Sequence, residues 1–271
     1  MDDDAFGELK DLLAGRNDAM DLDRAALALA TIEFPGLDAD PYLQRLDAFA
    51  AEIAHRVDLS NGPAFVNGMN RYLLDEAGLK GNADDYYNPH NSCVNRVLDT
   101  GLGIPITLSL VYIEVARRLA KPVHGIGLPR HFIVQYDDGE YSTFIDPFHE
   151  GDLLTVADCY VLAGLSEPDA SILAPAGKRQ ILFRMIKNLR GIYFSRQAYN
   201  KAMTVLDLLI EVNPHCVDEY KQRALLYLHG NHLKAARADL TEYVQRAPEA
   251  DDRAEMEEQV RIITRRMAAL N

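Results

Sequence analysis

Hydrophobic positions recur at helical spacing through the first eighty residues. Leu9, Leu12 and Leu13 share one face, and residues 22–34 continue the apolar spacing until Pro35-Gly36 stops it. Asp40-Pro41 opens the next helix, with Asp40 as its cap and Pro41 in its first turn, and Leu43, Leu46, Phe49, Ile53 and Val57 repeat along it. A further helix is predicted over 63–76, ending before Gly78. Residues 81–91, dense in Gly, Asn, Asp and Pro, read as a loop that delivers the chain to a short helix over 92–98.

The period changes in the middle of the chain. An apolar helix over 104–119 gives way after Pro122 to three β-like runs, 123–126, 131–136 and 141–145, with Asp137-Asp138-Gly139 as a hairpin turn between the last two. Thr155 is placed to cap a brief helix through Leu162. The stretch 164–177, rich in Pro, Ser and Ala, reads as a linker. Beyond it the pattern repeats: Leu189, Tyr193, Ala202, Leu206 and Pro214 are followed thirty-four residues later by Arg223, Tyr227, Ala236, Leu240 and Pro248. That is the spacing of a two-helix tetratricopeptide unit, whose small residues let helices approach and whose prolines end each unit. Arg223 is the degenerate position, and an amphipathic helix over 253–270 closes the stack.

Composition narrows the class. With 48% hydrophobic and 25% charged residues the chain is globular, and 271 residues suffice for two cores. Forty-one acidic against 28 basic residues give a net charge of -13, with no Lys/Arg block, so no nucleic-acid partner is expected. Cys93, Cys159 and Cys216 lack metal-finger or CxxC spacing, and the acidic start has no leader pattern, which points to a reduced, cytoplasmic protein. The longest apolar run, 104–115, contains Thr107, Ser109 and Glu114 and is too short to cross a bilayer.

The candidate chemistry centres on His131 and Asp146, borne by successive strands behind a helix N-terminus. This is the orienting half of a Cys-His-Asp arrangement, and the helix start, Gly103-Ile104-Pro105-Ile106-Thr107-Leu108-Ser109, holds no thiol. His131 is either a base oriented by Asp146 or one member of a structural hydrogen bond. Thr107 and Ser109 lie where a helix dipole favours a developing anion, and each has capping or packing as its plainer role. Cys93 is the remaining nucleophile candidate, set against a buried, inert thiol. Asn91, Asn95, Tyr86, Tyr87 and Arg130 are the expected cleft or binding residues. His90, His124 and His131 show no i,i+4 pairing, so no metal is expected, and no cofactor.

Asn91-Ser92, Asn95-Arg96-Val97-Leu98, the Gly103 to Ser109 motif, Ala116-Arg117-Arg118, His131-Phe132 and Ile145-Asp146-Pro147-Phe148, followed by the repeats, resemble the bacterial SirB-type family of transglutaminase-like regulators of sirC expression. The resemblance implies a cysteine-protease-like core. Active members of that fold carry Gly-x-Cys at a helix start, then a small-Pro turn, a His starting a strand and an Asp-Pro ending the next. Laid on this chain, the turn matches Ala120-Lys121-Pro122, the pair matches His131 and Asp146, and the nucleophile position falls within two residues of Pro105, which has no nucleophile.

The expectation is therefore an α+β, mostly helical fold. It has an N-terminal helical region (1–87) packed as one domain with a transglutaminase-like core (88–163), a linker (164–177) and a tetratricopeptide-like domain (178–271). The expected function is a non-catalytic interaction or regulatory module for a protein or peptide partner. The alternative is a hydrolase or acyl/amide transferase using His131 and Asp146 with Cys93, Thr107 or Ser109. Whether the repeats bind a partner or brace the core is open at this point.

Overall fold

The computed structural model describes residues 7, 9, 10, 13, 20–213 and 215–269, so Leu12, Pro214 and Leu270 of the reading above lie outside the described residues. The chain divides into two units, Met1–Asn188 and Leu189–Asn271. It is α+β and mostly helical.

In the first unit, α1 (Leu22–Ala30) and α2 (Asp40–Arg56) present buried apolar faces. Asp40 does not cap α2. It is the first helical residue behind Ala39, and its N–H donates to the Asp38 carboxylate at 3.0 Å, so Asp38 does the job two residues earlier. Asn61 caps α3 (Gly62–Asn70), accepting from the Ala64 N–H. The predicted helix over 63–76 does not stay regular. Past Asn70 it widens over Arg71–Glu76, with the Ala77 N–H donating to the Tyr72 carbonyl five residues back. Such widening accompanies a tertiary demand. Here the Asn70 amide donates to the Gly151 carbonyl at 2.8 Å and accepts from the Tyr112 hydroxyl at 3.0 Å.

The central helix is reached through α4 (Val94–Thr100). Before it, β1 (Lys80–Gly81) runs parallel to β2 (Leu102–Gly103), which leads into α5 (Pro105–Arg118). Pro105 sits in the first turn of α5, where its missing N–H costs nothing. From Pro105 to Tyr112 every residue of α5 is buried. At its other end Glu114 accepts from Arg117 (2.7 Å) and Arg118 (3.0 Å), and Arg118 also donates to Asp23 of α1 (2.7 Å) and Asp47 of α2 (2.6 Å). Glu114 and Asp23 are almost wholly buried, so the arginines are the partners that make their burial tolerable.

After α5, a meander of β3 (Val123–Ile126), β4 (Ile133–Asp137), β5 (Ser142–Asp146) and β6 (Asp152–Leu154) forms a four-stranded antiparallel sheet in sequence order. Val134 stands opposite Ile145, and Phe144 opposite Leu154. β6 has no counterpart in the periodicity reading, because three residues are too few to show a period. α6 (Val156–Ala163) is capped as expected: Thr155 accepts from the Asp158 N–H and its own N–H donates to the Asp158 carboxylate. The stretch read as a linker is not one. Pro175 bridges Ile126, the Ala176 N–H donates to the Gly125 carbonyl at 2.8 Å, and Ile172 and Leu173 pack on Ile126, Leu128, Ile133, Phe144 and Cys159.

The unit division falls inside α7 (Lys178–Ser195). α8 (Tyr199–Val212), α9 (Val217–His229) and α10 (Leu233–Arg246) then alternate as the thirty-four-residue spacing requires, and α11 (Arg253–Ala269) follows. Ala202, Ala236, Leu206 and Leu240 are buried between helices. The turns agree in detail: Gln197 and Asn231, also thirty-four apart, both adopt left-handed φ (56° and 59°), and Ala198 and His232 donate back to the Tyr193 and Tyr227 carbonyls. Arg223 donates two bonds to Asp239 (2.7 and 2.8 Å) and one to Asp207 (2.9 Å), linking α8, α9 and α10.

Candidate functional site

The site is built around the turn that leaves β5. Asp146, 1% exposed, uses Oδ1 to accept from the N–H groups of Phe148 (3.0 Å) and His149 (3.4 Å), which fixes the carboxylate and closes the turn. Its other oxygen, Oδ2, meets two imidazoles: His131 Nε2 at 2.7 Å and His149 Nδ1 at 2.8 Å. The rings lie nearly parallel, 27° apart with centroids 5.5 Å apart, and Phe148 packs edge-on to both. Burial works to raise the Asp146 pKa, but the hydrogen bonds and charges of His131 and His149 outweigh it and hold the carboxyl below its ordinary value.

His131 is placed from behind. It lies just before β4, after a turn in which Arg130 takes a left-handed φ of 61° and the His131 N–H donates to the Leu128 carbonyl. Arg184 of α7 donates to the carbonyls of both Leu128 (2.8 Å) and His131 (2.7 Å), with its guanidinium over the Phe132 ring. Nothing in the sequence around Arg184 announced this. The His131 ring turns Nε2 to Asp146.

The predicted loop packs against the turn after β5. Tyr86 packs edge-on to Phe148 (6.0 Å) and to Tyr87 (5.3 Å), and Tyr87 is two-thirds exposed. Burial raises the Tyr86 pKa, Tyr87 adds to this, and the charge of Arg184 opposes it. Asn91 is buried and serves the loop itself: its amide donates to the carbonyls of Asp85 and Tyr86, and its Oδ1 accepts from Asn82. Asn95 is likewise buried, on α4, so neither asparagine presents an exposed binding group, whereas Arg130 is exposed.

The nucleophile candidates have other tasks. The Thr107 hydroxyl is fully buried, donates to the Asn91 carbonyl at 2.7 Å and accepts from the Ile104 N–H at 3.1 Å, so it caps α5. Ser109 is fully buried and directs its hydroxyl to the Phe132 carbonyl. Cys93 is fully buried with its sulfur toward the Pro89 carbonyl. Around Pro105, Ile104 and Ile106 are also buried. His149, half exposed, is the residue the sequence reading missed. Its signal was a histidine three residues after Asp146, a spacing meaningful only once the turn is known. Of the three histidines weighed as ligands, only His131 enters the cluster. His90 packs on Phe34, and His124 lies on β3 opposite Gln135.

A model of the transglutaminase-like superfamily matches residues 40–187. The chain belongs to that superfamily. A tetratricopeptide-repeat model matches residues 189–261. A UPF0162 protein of Xylella fastidiosa strain 9a5c is 34% identical over 86% of each chain. The human F-box only protein 21 is 33% identical over 60% of this chain and 28% of its own. Among solved structures, menin aligns with a TM-score of 0.42 at 13% identity, over 94% of this chain and 72% of its own. Among the described residues, no helix is long and apolar enough to cross a membrane.

Proposed function

We propose that this superfamily member is a non-catalytic interaction or regulatory module of the SirB type, working in the reduced cytoplasm. It binds a protein or peptide partner through the surface around His131, Tyr86 and Tyr87 and through its repeats. The observation that carries this reading is the start of α5, where a transglutaminase-like enzyme needs a nucleophile and this chain presents Pro105 between two buried isoleucines, ahead of a capping threonine. Tetratricopeptide repeats in general mediate protein–protein contact, which supports the same reading. The exposed Tyr87 beside the cluster is the type of side chain that anchors interfaces.

The test is thiol reactivity. Iodoacetamide labelling of Cys93, Cys159 and Cys216 is followed across pH by peptide mass spectrometry, in the parent and in His131→Ala. The module reading expects ordinary or protected thiols at all three positions and no effect of the variant. Rapid labelling of Cys93 below neutral pH that disappears in His131→Ala would establish a thiolate–imidazolium pair and overturn it.

A second reading, a hydrolase or acyl transferase, is favoured by one observation: the 2.7 Å contact of His131 with Asp146 is the geometry of an oriented base. It predicts turnover of a glutamine or ester donor that His131→Ala abolishes. Absence of turnover in the parent counts against it.

A further inference from the structure

We infer that His131, Asp146 and His149 form a binding site for one divalent transition-metal ion of the zinc class. The three ligand atoms, His131 Nε2, Asp146 Oδ2 and His149 Nδ1, all lie within 4.8 Å of one another. Both imidazole nitrogens converge on that one carboxylate oxygen, at 2.7 and 2.8 Å, so an ion would take the place of these two contacts. Two neutral imidazoles and one carboxylate make a nitrogen-rich, borderline donor set. Zinc, cobalt and ferrous ions suit that set, whereas calcium and magnesium prefer all-oxygen shells.

Three further observations separate this cluster from an incidental hydrogen bond. The second carboxylate oxygen is held by the Phe148 and His149 N–H groups, so Oδ2 is fixed toward the imidazoles in the way outer contacts orient a metal ligand. The backbone of His131 is held by Arg184 and Phe148 packs against its ring, so the His131 donor is placed before any ion arrives, while the exposed His149 has room to turn. Exposure is graded across the cluster: the Asp146 side chain is 1% exposed, His131 11% and His149 52%. The buried end supplies an anchored anion. The open end gives the ion an entry path and leaves a coordination position for water or a partner's side chain.

Ligand bonds of about 2.0–2.1 Å require the nitrogen–oxygen separations to open to roughly 3.3 Å around a tetrahedral ion. His149, on an exposed turn, can supply that movement by rotating its ring. The inference rests on the cluster's geometry and is independent of whether the surface around it binds a protein.

The test uses the full chain, stripped with a chelator and desalted. Cobalt(II) is titrated in and followed by its visible ligand-field absorption, then displaced by zinc, in the parent, His149→Ala and His124→Ala. The expected result is one equivalent bound by the parent, affinity at least about tenfold weaker in His149→Ala, and no change in His124→Ala. His149 is exposed, so its loss leaves the fold intact, which circular dichroism checks. Zinc-edge X-ray absorption of the loaded parent gives a readout free of any variant, expected to show nitrogen and oxygen neighbours alone. Failure of the parent to bind, equal binding by His149→Ala, or a sulfur neighbour on the ion would overturn the assignment.

Discussion

Four donors converge on the two oxygens of Asp146, and this single side chain ties β5, the turn after it and the segment leading into β4 together. Its carboxyl is held below the ordinary aspartate value of 3.8, burial being outweighed by the two histidines. A carboxyl depressed in the folded state contributes stability that is fully present above its unfolded pKa, about 3.9, and is lost as pH falls through the lower folded value. The parent is therefore expected to lose stability below about pH 4 more steeply than Asp146→Asn. Because the variant also surrenders charge-assisted bonds at a buried site, it is expected to be about 2 kcal/mol less stable near pH 7. Urea unfolding at pH 7 and at stepped acid pH measures both. Equal acid slopes in the two proteins would show that Asp146 is not linked to folding.

Gly81 acts at the same site through space alone. A Cβ at this position would stand 2.6 Å from the Phe148 carbonyl and 2.7 Å from its ring, so the β1 backbone and the Asp146 turn are in direct contact. Backbone does not yield as a flexible side chain would. Gly81→Ala is expected to cost about 2 kcal/mol in urea unfolding and to weaken packing around Phe148, read by near-ultraviolet circular dichroism. A variant as stable as the parent would mean the turn has room to shift.

Among elements, the repeats were the most legible part of the sequence and the small strands the least. A thirty-four-residue repetition is sampled over two units, with its prolines in register, and α5 announces itself by a mainly apolar start. β1, β2 and β6 are two or three residues long, with no room for alternation, and they exist because neighbouring chain offers their N–H and C=O groups partners. The stretch 164–177 has linker composition, yet its few apolar residues cover the sheet. Of the site, His131 and Asp146 were legible from their motifs. His149 and Arg184 were not, because a turn and a distant helix bring them in.

Arg223 shows how a position that breaks a pattern can be explained by its partners. Where the first repeat has the buried Leu189, the second has a guanidinium bonded to Asp239 and Asp207, with its pKa raised chiefly by the hydrogen bond to Asp239. Replacing it by leucine restores the repeat pattern but leaves Asp239, 8% exposed, without its partner. Arg223→Leu is thus expected to cost about 2 kcal/mol, less than a fully buried pair because Asp207 is half exposed. Arg223→Leu with Asp239→Leu is expected to recover most of that loss. Additive losses in the double-mutant cycle would show that the two residues do not act as a pair.

On the scale of the whole chain, the two units share a helix but not a boundary between elements. The division lies inside α7, and the first turns of that helix serve the first unit: Lys178 donates to the Met20 carbonyl, and Arg184 holds the Leu128 and His131 carbonyls. A cut at the composition-based linker would therefore strip the transglutaminase-like unit of the arginine that positions its own histidine, leaving the Leu128 carbonyl with only the His131 N–H and the His131 carbonyl in need of another donor. A fragment ending at residue 195 is expected to unfold cooperatively in urea and to keep the near-ultraviolet signal of the Phe132 and Tyr136 environment. A fragment ending at residue 177 is expected to unfold at lower denaturant with a broadened transition. Since Ile181, Leu182, Met185 and Ile186 are also buried, Arg184→Met in the full chain separates the two causes. It keeps the apolar packing of α7 and removes the donor together with the cation over the Phe132 ring. If the loss in the shorter fragment comes from the carbonyl contacts, Arg184→Met reproduces part of it. If the variant is as stable as the parent while the 177 fragment collapses, α7 supports the unit by apolar packing alone, and Arg184 is not what positions His131.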